Sequence, residues 1–126
     1  MGELTKEEKD QYILDMIKNL TQDQTAFNIN TWGVMHNYHE MRGLALEENE
    51  EVLEQLEWLK IYKDELWTMI KENKPKVDID HMLQIVIENT VFAIQELLHE
   101  AAVYQRALDT MQKAPAGGNQ ADADKK

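Results

Sequence analysis

Leu44-Ala45-Leu46-Glu47-Glu48-Asn49-Glu50-Glu51-Val52-Leu53-Glu54-Gln55-Leu56-Glu57-Trp58-Leu59 contains neither glycine nor proline and repeats its apolar residues at helical spacing. With each residue advancing about 100° around a helix axis, Leu44, Glu48, Val52, Leu56 and Leu59 fall in one band. Leu66 and Ile70 continue it. Glu48 therefore lies inside an apolar stripe, with Glu51 at its edge one turn on. Glu47, Glu50, Glu54 and Glu57 point the other way and read as a solvated face. A carboxylate on a face due for burial needs a cation, an altered protonation state or a metal, because burying it unpaired is costly.

Outward from this run, the helical pattern extends from Tyr38 to Asn73, with Gly43 as its one weak point and Pro75 as its stop. Its length makes a bend or short break an expectation. Upstream, Thr5-Lys6-Glu7-Glu8 has the form of a capping box and leads into Tyr12, Ile13, Met16, Ile17 and Leu20, which predicts a first helix. Thr21 to Asn37 is polar and poorly periodic, and is expected to be a connector anchored by Phe27 and Trp32. Downstream, Asp78 or Asp80 is the expected cap of a last helix running to about Met111.

The last helix places Leu83, Ile87, Val91, Ile94, Leu98, Ala101 and Leu108 in a main apolar stripe, with Ile85, Phe92 and Val103 nearly opposite. A helix apolar on two sides is usually central. Glu88, Gln95, Glu96 and His99 are interleaved with the second face. Glu96, His99 and Glu100, three and four positions apart, share a side and can converge on one ligand. Two carboxylate-bearing helices facing each other make an oxygen-rich site suited to Mg²⁺ or Mn²⁺. A plainer reading stands beside it, in which Glu48 pairs with Arg42, Lys60 or Lys63, and Glu96 and Glu100 face solvent.

The 126 residues are 43% hydrophobic and 29% charged. That is a globular composition, and its wealth of Glu, Leu, Ala, Lys and Gln favours helix. The expected fold is all-α, a helical bundle with two long helices completed by homo-oligomerisation, since apolar faces exceed what one small monomer can cover. Residues 1–112 are expected to form a single helical domain and residues 113–126, small and polar around Ala114-Pro115-Ala116-Gly117-Gly118, a disordered tail. The five methionines Met16, Met35, Met41, Met69 and Met82 read as core or subunit-contact filling.

A formal net charge of −11 argues against binding nucleic acid or an anionic membrane. The absence of cysteine removes disulfides, thiolate metal sites and thiol nucleophiles. The opening Met1-Gly2-Glu3-Leu4-Thr5-Lys6-Glu7-Glu8 lacks the apolar core of a signal peptide, and no run is long enough to span a bilayer, so a cytoplasmic location is expected.

Over about residues 27–110, these motifs resemble the MazG-like all-α nucleotide pyrophosphohydrolases, especially the short forms of phages. Glu47-Glu48-Asn49-Glu50-Glu51 after Leu44-Ala45-Leu46 is similar to the family's Glu-Glu-x-x-Glu metal-binding motif. Trp32-Gly33 with His36 is similar to the Trp-Gly and His that precede it in several short members. Glu96-Leu97-Leu98-His99-Glu100-Ala101-Ala102-Val103 resembles the second motif, except that His99 stands where the pattern has its last acidic residue.

The resemblance implies Glu48, Glu51 and Glu96 as ligands of Mg²⁺ or Mn²⁺, with His99 as a ligand that Mn²⁺ tolerates better than Mg²⁺ does. It further implies hydrolysis of a nucleoside triphosphate to a monophosphate and pyrophosphate, with Glu47 or Glu51 accepting the proton of the attacking water. Trp32 then stacks on a base, His36 takes a secondary part, and Lys60 or Lys63 approaches a phosphate. Each has a structural counterpart: Trp32 as a core anchor, the lysines as a solvated face. Two further functions fit the sequence. One is capture of a nucleotide or nucleotide-derived signal without cleavage, suggested by His99. The other is a helical interaction module, which requires Glu48, Glu96 and His99 to lie far apart.

Overall fold

A computed structural model describes residues 2–111. The fold is an all-α helical bundle with three helices and, among the described residues, no strand: α1 (Lys6–Trp32), α2 (Tyr38–Lys71) and α3 (Lys76–Met111). The tail expected over 113–126 lies outside the described residues. Among the described residues, no helix is long and apolar enough to cross a membrane.

The N-terminal capping box forms as read. The Thr5 hydroxyl accepts from the Glu8 amide at 3.1 Å and the Glu8 carboxylate accepts from the Thr5 amide at 3.0 Å. The expected connector does not begin at Thr21, because α1 continues to Trp32. Its polar side chains bond along the helix instead of breaking it. The hydroxyls of Thr21, Thr25 and Thr31 each donate to the carbonyl four residues back, and Gln24 donates to Asn28. With no glycine or proline between Thr5 and Gly33, nothing stops the helix earlier. Gly33 takes φ 78°, a conformation that costs glycine little.

Asn37 opens α2, its side-chain oxygen accepting from the Glu40 amide at 2.9 Å. The helix then runs without the anticipated break through Gly43. Its end is a left-handed cap. Asn73 has φ 54°, the Lys74 amide bonds the Met69 carbonyl and the Asn73 amide bonds that of Ile70, the paired pattern of a Schellman motif. The next helix starts earlier than the expected cap at Asp78 or Asp80: the Pro75 carbonyl accepts from the Asp78 and Ile79 amides at 3.0 and 3.1 Å. Proline loses nothing at a helix start, where its missing N–H has no partner to find.

The packing falls into two compact units. The first comprises the chain to Ala45 and α3 from Leu98 onward. Met35, Ala45, Val103, Ala107 and Met111 form its core, flanked by Met41 and Leu44. The methionines thus divide: Met35 fills core while Met16 is exposed. The Thr110 hydroxyl accepts from the Met35 amide at 2.8 Å and itself donates to the Arg106 carbonyl, tying the segment after α1 to α3.

The second unit, Leu46–Leu97, is the adjoining parts of α2 and α3 with the turn between them. Its seam positions on α2 are Glu48, Val52, Gln55, Leu59, Tyr62, Leu66 and Met69, and on α3 Ile79, Met82, Val86, Asn89, Ala93 and Glu96, with Asn49 and Ile85 half-buried beside them. Both series alternate steps of three and four, the heptad spacing of a helical hairpin seam. Leu56 and Ile70, expected in the buried band, are instead exposed, as are Leu83, Ile87, Val91 and Ile94 of the expected main stripe of α3. The reason is register. The seam follows a 3.5-residue repeat, which selects the neighbouring row of residues on each helix.

Candidate metal centre

Two cross-helix contacts define the register of the hairpin. Gln55 donates to the Asn89 side-chain oxygen at 2.9 Å, and Glu48 and Glu96 bring carboxylate oxygens within 4.8 Å of each other. Seven residues separate Glu48 from Gln55 and seven separate Asn89 from Glu96, so both contacts report one antiparallel alignment. Polar residues therefore occupy two seam layers, one of carboxylates and one of amides, with the apolar positions Val52 and Ala93 between them in the series.

Glu48 and Glu96 are half-buried, and one oxygen of each, Oε2, is shielded from solvent. His99 follows Glu96 by one turn of the uninterrupted α3, on the same side of the helix. A ring nitrogen of His99 and one oxygen from each glutamate all lie within 4.8 Å of one another. Two carboxylates and an imidazole offer a mixed oxygen and nitrogen donor set. Such a set can hold a divalent cation, Mn²⁺ or another transition ion more readily than Mg²⁺, whose preference is for oxygen alone. The wide separation of these three residues that an interaction module requires is not what the structure has.

The other residues singled out in the sequence are distributed differently. Glu51 and Glu47 are exposed on α2, and Glu51 is not among the three gathered donors. Both sit one position before a seam residue and so share the same flank of the hairpin. Lys60 and Lys63 are exposed one position after seam residues, on the opposite flank. From Glu51, Lys60 is half a turn away in angle and about 14 Å along the axis, so the hairpin does not bring the lysines to the carboxylates. Glu100 accepts a hydrogen bond from the Tyr104 hydroxyl at 2.7 Å, which pushes the phenol pKa upward.

Trp32 and His36 belong to the first unit. Trp32 is not a core anchor: it is 61% exposed and meets Phe27 edge to face at 6.3 Å. His36 Nδ1 lies 2.7 Å from Glu40 Oε2.

Arg106, which the sequence reading passed over, positions this segment. Its Nε donates to the Gly33 carbonyl at 2.9 Å and its Nη2 to that of Trp32 at 3.3 Å. The last turn of α1 holds no basic residue. Arg106 supplies from α3 the positive charge that a helix C-terminus favours. The available signal was its isolation, since it is the one cation of α3 after Lys76 and stands among Ala102, Val103 and Ala107.

Set against models of known protein families, curated proteins and solved structures, the chain matches none.

Proposed function

We propose that the chain binds a divalent metal ion through Glu48, Glu96 and His99 and uses it to hydrolyse a nucleoside triphosphate to a monophosphate and pyrophosphate. The observation that carries this reading is the convergence of three donors within 4.8 Å from two helices. It is supported by the resemblance of the surrounding motifs to MazG-like pyrophosphohydrolases. A bound cation supplies charge neutralisation for phosphate oxygens and acidifies a water. In a chain of net charge −11 that neutralisation matters, because the protein otherwise repels its substrate.

The chain's own residues then have distinct tasks. Glu48 and Glu96 would hold the ion from facing helices, and His99 would complete the set with a ring nitrogen. Glu47 and Glu51, exposed on the adjoining flank of α2, are the carboxylates available to accept a proton from water. Mn²⁺ suits the imidazole better than Mg²⁺ does.

Calorimetric titration with Mn²⁺ and Mg²⁺ tests the metal step. The wild-type chain binds Mn²⁺ more tightly, and Glu48→Gln, Glu96→Gln and His99→Ala each weaken it at least about tenfold. No binding of either ion at millimolar concentration overturns the reading. A nucleoside triphosphate panel with pyrophosphate detection in Mn²⁺ tests the chemistry.

A second reading is favoured by His99 and by the exclusion of Glu51 from the gathered donors: the same centre captures a nucleotide or nucleotide-derived signal without cleaving it. Metal-dependent nucleotide binding with no pyrophosphate release selects that alternative.

A further inference from the structure

The amide layer of the α2–α3 seam is tied in one orientation. The Asn89 side-chain nitrogen donates to the Ile85 carbonyl one turn back at 2.8 Å, which leaves its side-chain oxygen to accept from α2. Gln55 donates to that oxygen at 2.9 Å and reaches the Asn89 backbone carbonyl at 3.5 Å. One side chain of α2 thus grips both a side chain and the backbone of α3. Both residues are half-buried, so water competes poorly for these bonds.

The apolar part of the seam lacks such direction. Val52, Leu59, Leu66 and Ala93 are buried, but apolar contact rewards burial without fixing how far one helix slides or turns against its neighbour. The turn between the helices is remote. At roughly 1.5 Å per residue, Asn73 lies about 37 Å along the helix from Glu48, whereas Gln55 lies only about 10 Å away. Glu48 and Glu96, with oxygens within 4.8 Å of each other, are like groups whose charged forms repel. The amide bridge holds α2 and α3 to a set spacing two turns from that layer.

We propose that Gln55 and Asn89 are positioning residues for the candidate metal centre, their bridge fixing the stagger and rotation that bring Glu48 and Glu96 to a common ion. This rests on the reading that those carboxylates bind a divalent cation. At about 10 Å from them, neither amide is a ligand. Each acts through the helix that carries its glutamate: Gln55 shares a seam row with Glu48 and Asn89 with Glu96, seven residues apart in each case. A binding centre needs its donors held to roughly 0.5 Å and 10–20°, which is tighter than apolar packing enforces. Setting register is the best-attested use of a buried polar group in a helical seam.

Titration calorimetry with Mn²⁺ beside thermal unfolding tests this on the full chain. Gln55→Leu with Asn89→Leu replaces both amides by apolar groups together, so the melting temperature is expected close to that of the wild type while Mn²⁺ affinity falls at least about tenfold. Gln55→Asn with Asn89→Gln restores an amide pair with its long and short members exchanged, and recovers most of that affinity. A pair that served stability alone would move the melting temperature and leave the affinity of the folded chain unchanged. A folded leucine variant that binds Mn²⁺ as tightly as the wild type overturns the proposal.

A second measurement needs no metal. The chain has no native cysteine, so nitroxide labels are attached at Glu47→Cys and Gln95→Cys, exposed positions each one residue before a carboxylate of the pair. Their dipolar spectrum is expected to report one narrow distance with the amides present and a broader, longer spread with the leucines. Identical spectra overturn the proposal. If the wild type binds no Mn²⁺ the metal reading fails, and the labels still decide whether the amides position the two rows.

Discussion

Replacing Arg106 by methionine keeps most of the aliphatic stem but removes both donors that hold the end of α1. The Arg106 side chain is only 7% exposed, so water does not readily take over. A hydrogen bond to a charged group contributes roughly 1.5–3 kcal/mol. The Nε bond to Gly33 at 2.9 Å warrants the middle of that range, and the Nη2 bond to Trp32 at 3.3 Å a fraction of it. The Trp32 residue is exposed, which lets solvent repair part of the second loss. Glu40 Oε1, 4.0 Å from Nη2 and itself partly exposed, adds little.

The sum is about 3 kcal/mol. For a domain of this size that corresponds to a fall in Tm of about 12 °C, at roughly 4 °C per kcal/mol. Differential scanning calorimetry measures the fall, and amide exchange locates it. The Met35 amide, held by Thr110 one turn along α3 from Arg106, is expected to exchange faster in the variant. Arg106→Lys, which keeps a charge but cannot reproduce the fork, should recover only part of the loss. A Tm within about 2 °C of wild type, with Met35 protection unchanged, would refute the assignment of Arg106 as the cap of α1.

Other perturbations follow from single features. Gln55→Leu or Asn89→Leu leaves one seam amide without the other and costs about 1–2 kcal/mol, whereas the double replacement returns close to wild-type stability; additive losses in urea unfolding would show the two are not coupled. Gly43→Ala meets no atom within 4 Å and lies inside α2, so it should stabilise by roughly 0.5–1 kcal/mol, as chemical denaturation can check. Gly33→Ala, at φ 78°, should destabilise in the same assay.

The Glu8 carboxyl is held below the ordinary carboxylate range by the Thr5 amide first and its hydroxyl second. A lowered pKa contributes helix stability above the unfolded value and loses it as pH falls through the folded one. The first turn of α1 should therefore fray only on acidification below the usual glutamate range, seen as amide exchange at Lys9. Glu8→Ala should abolish that response.

The three gathered donors of the candidate centre were legible in unequal degrees. Glu48 and Glu96 stand out because a carboxylate interrupts an apolar period, a signal that survives uncertainty about which row is buried. His99 follows from its spacing of three from Glu96. Glu51 carried the same spacing from Glu48, yet the structure leaves it exposed and outside the gathered donors. A turn of helix brings residues onto a common side without turning both toward the same neighbour. Lys60 and Lys63 show the converse. They follow the acidic run in sequence, and helical phase puts them on the other flank.

What the sequence determined by itself was the helical character of the chain and some of its boundaries: all-helical composition, the Thr5 capping box and the halt before Pro75. These depend on local propensities and hydrogen bonds within a few residues. It misjudged the stretch from Thr21 to Trp32, where polar side chains satisfy themselves along the helix.

Only the tertiary structure decided which row of each helix is buried. A single helix with two apolar sides offers several equivalent stripes, and the choice among them depends on the register of the partner helix. In the hairpin that choice buries Val52, Leu59, Leu66 and Ala93, draws Glu48 and Glu96 together, and leaves Leu53, Trp67 and Ile87 exposed.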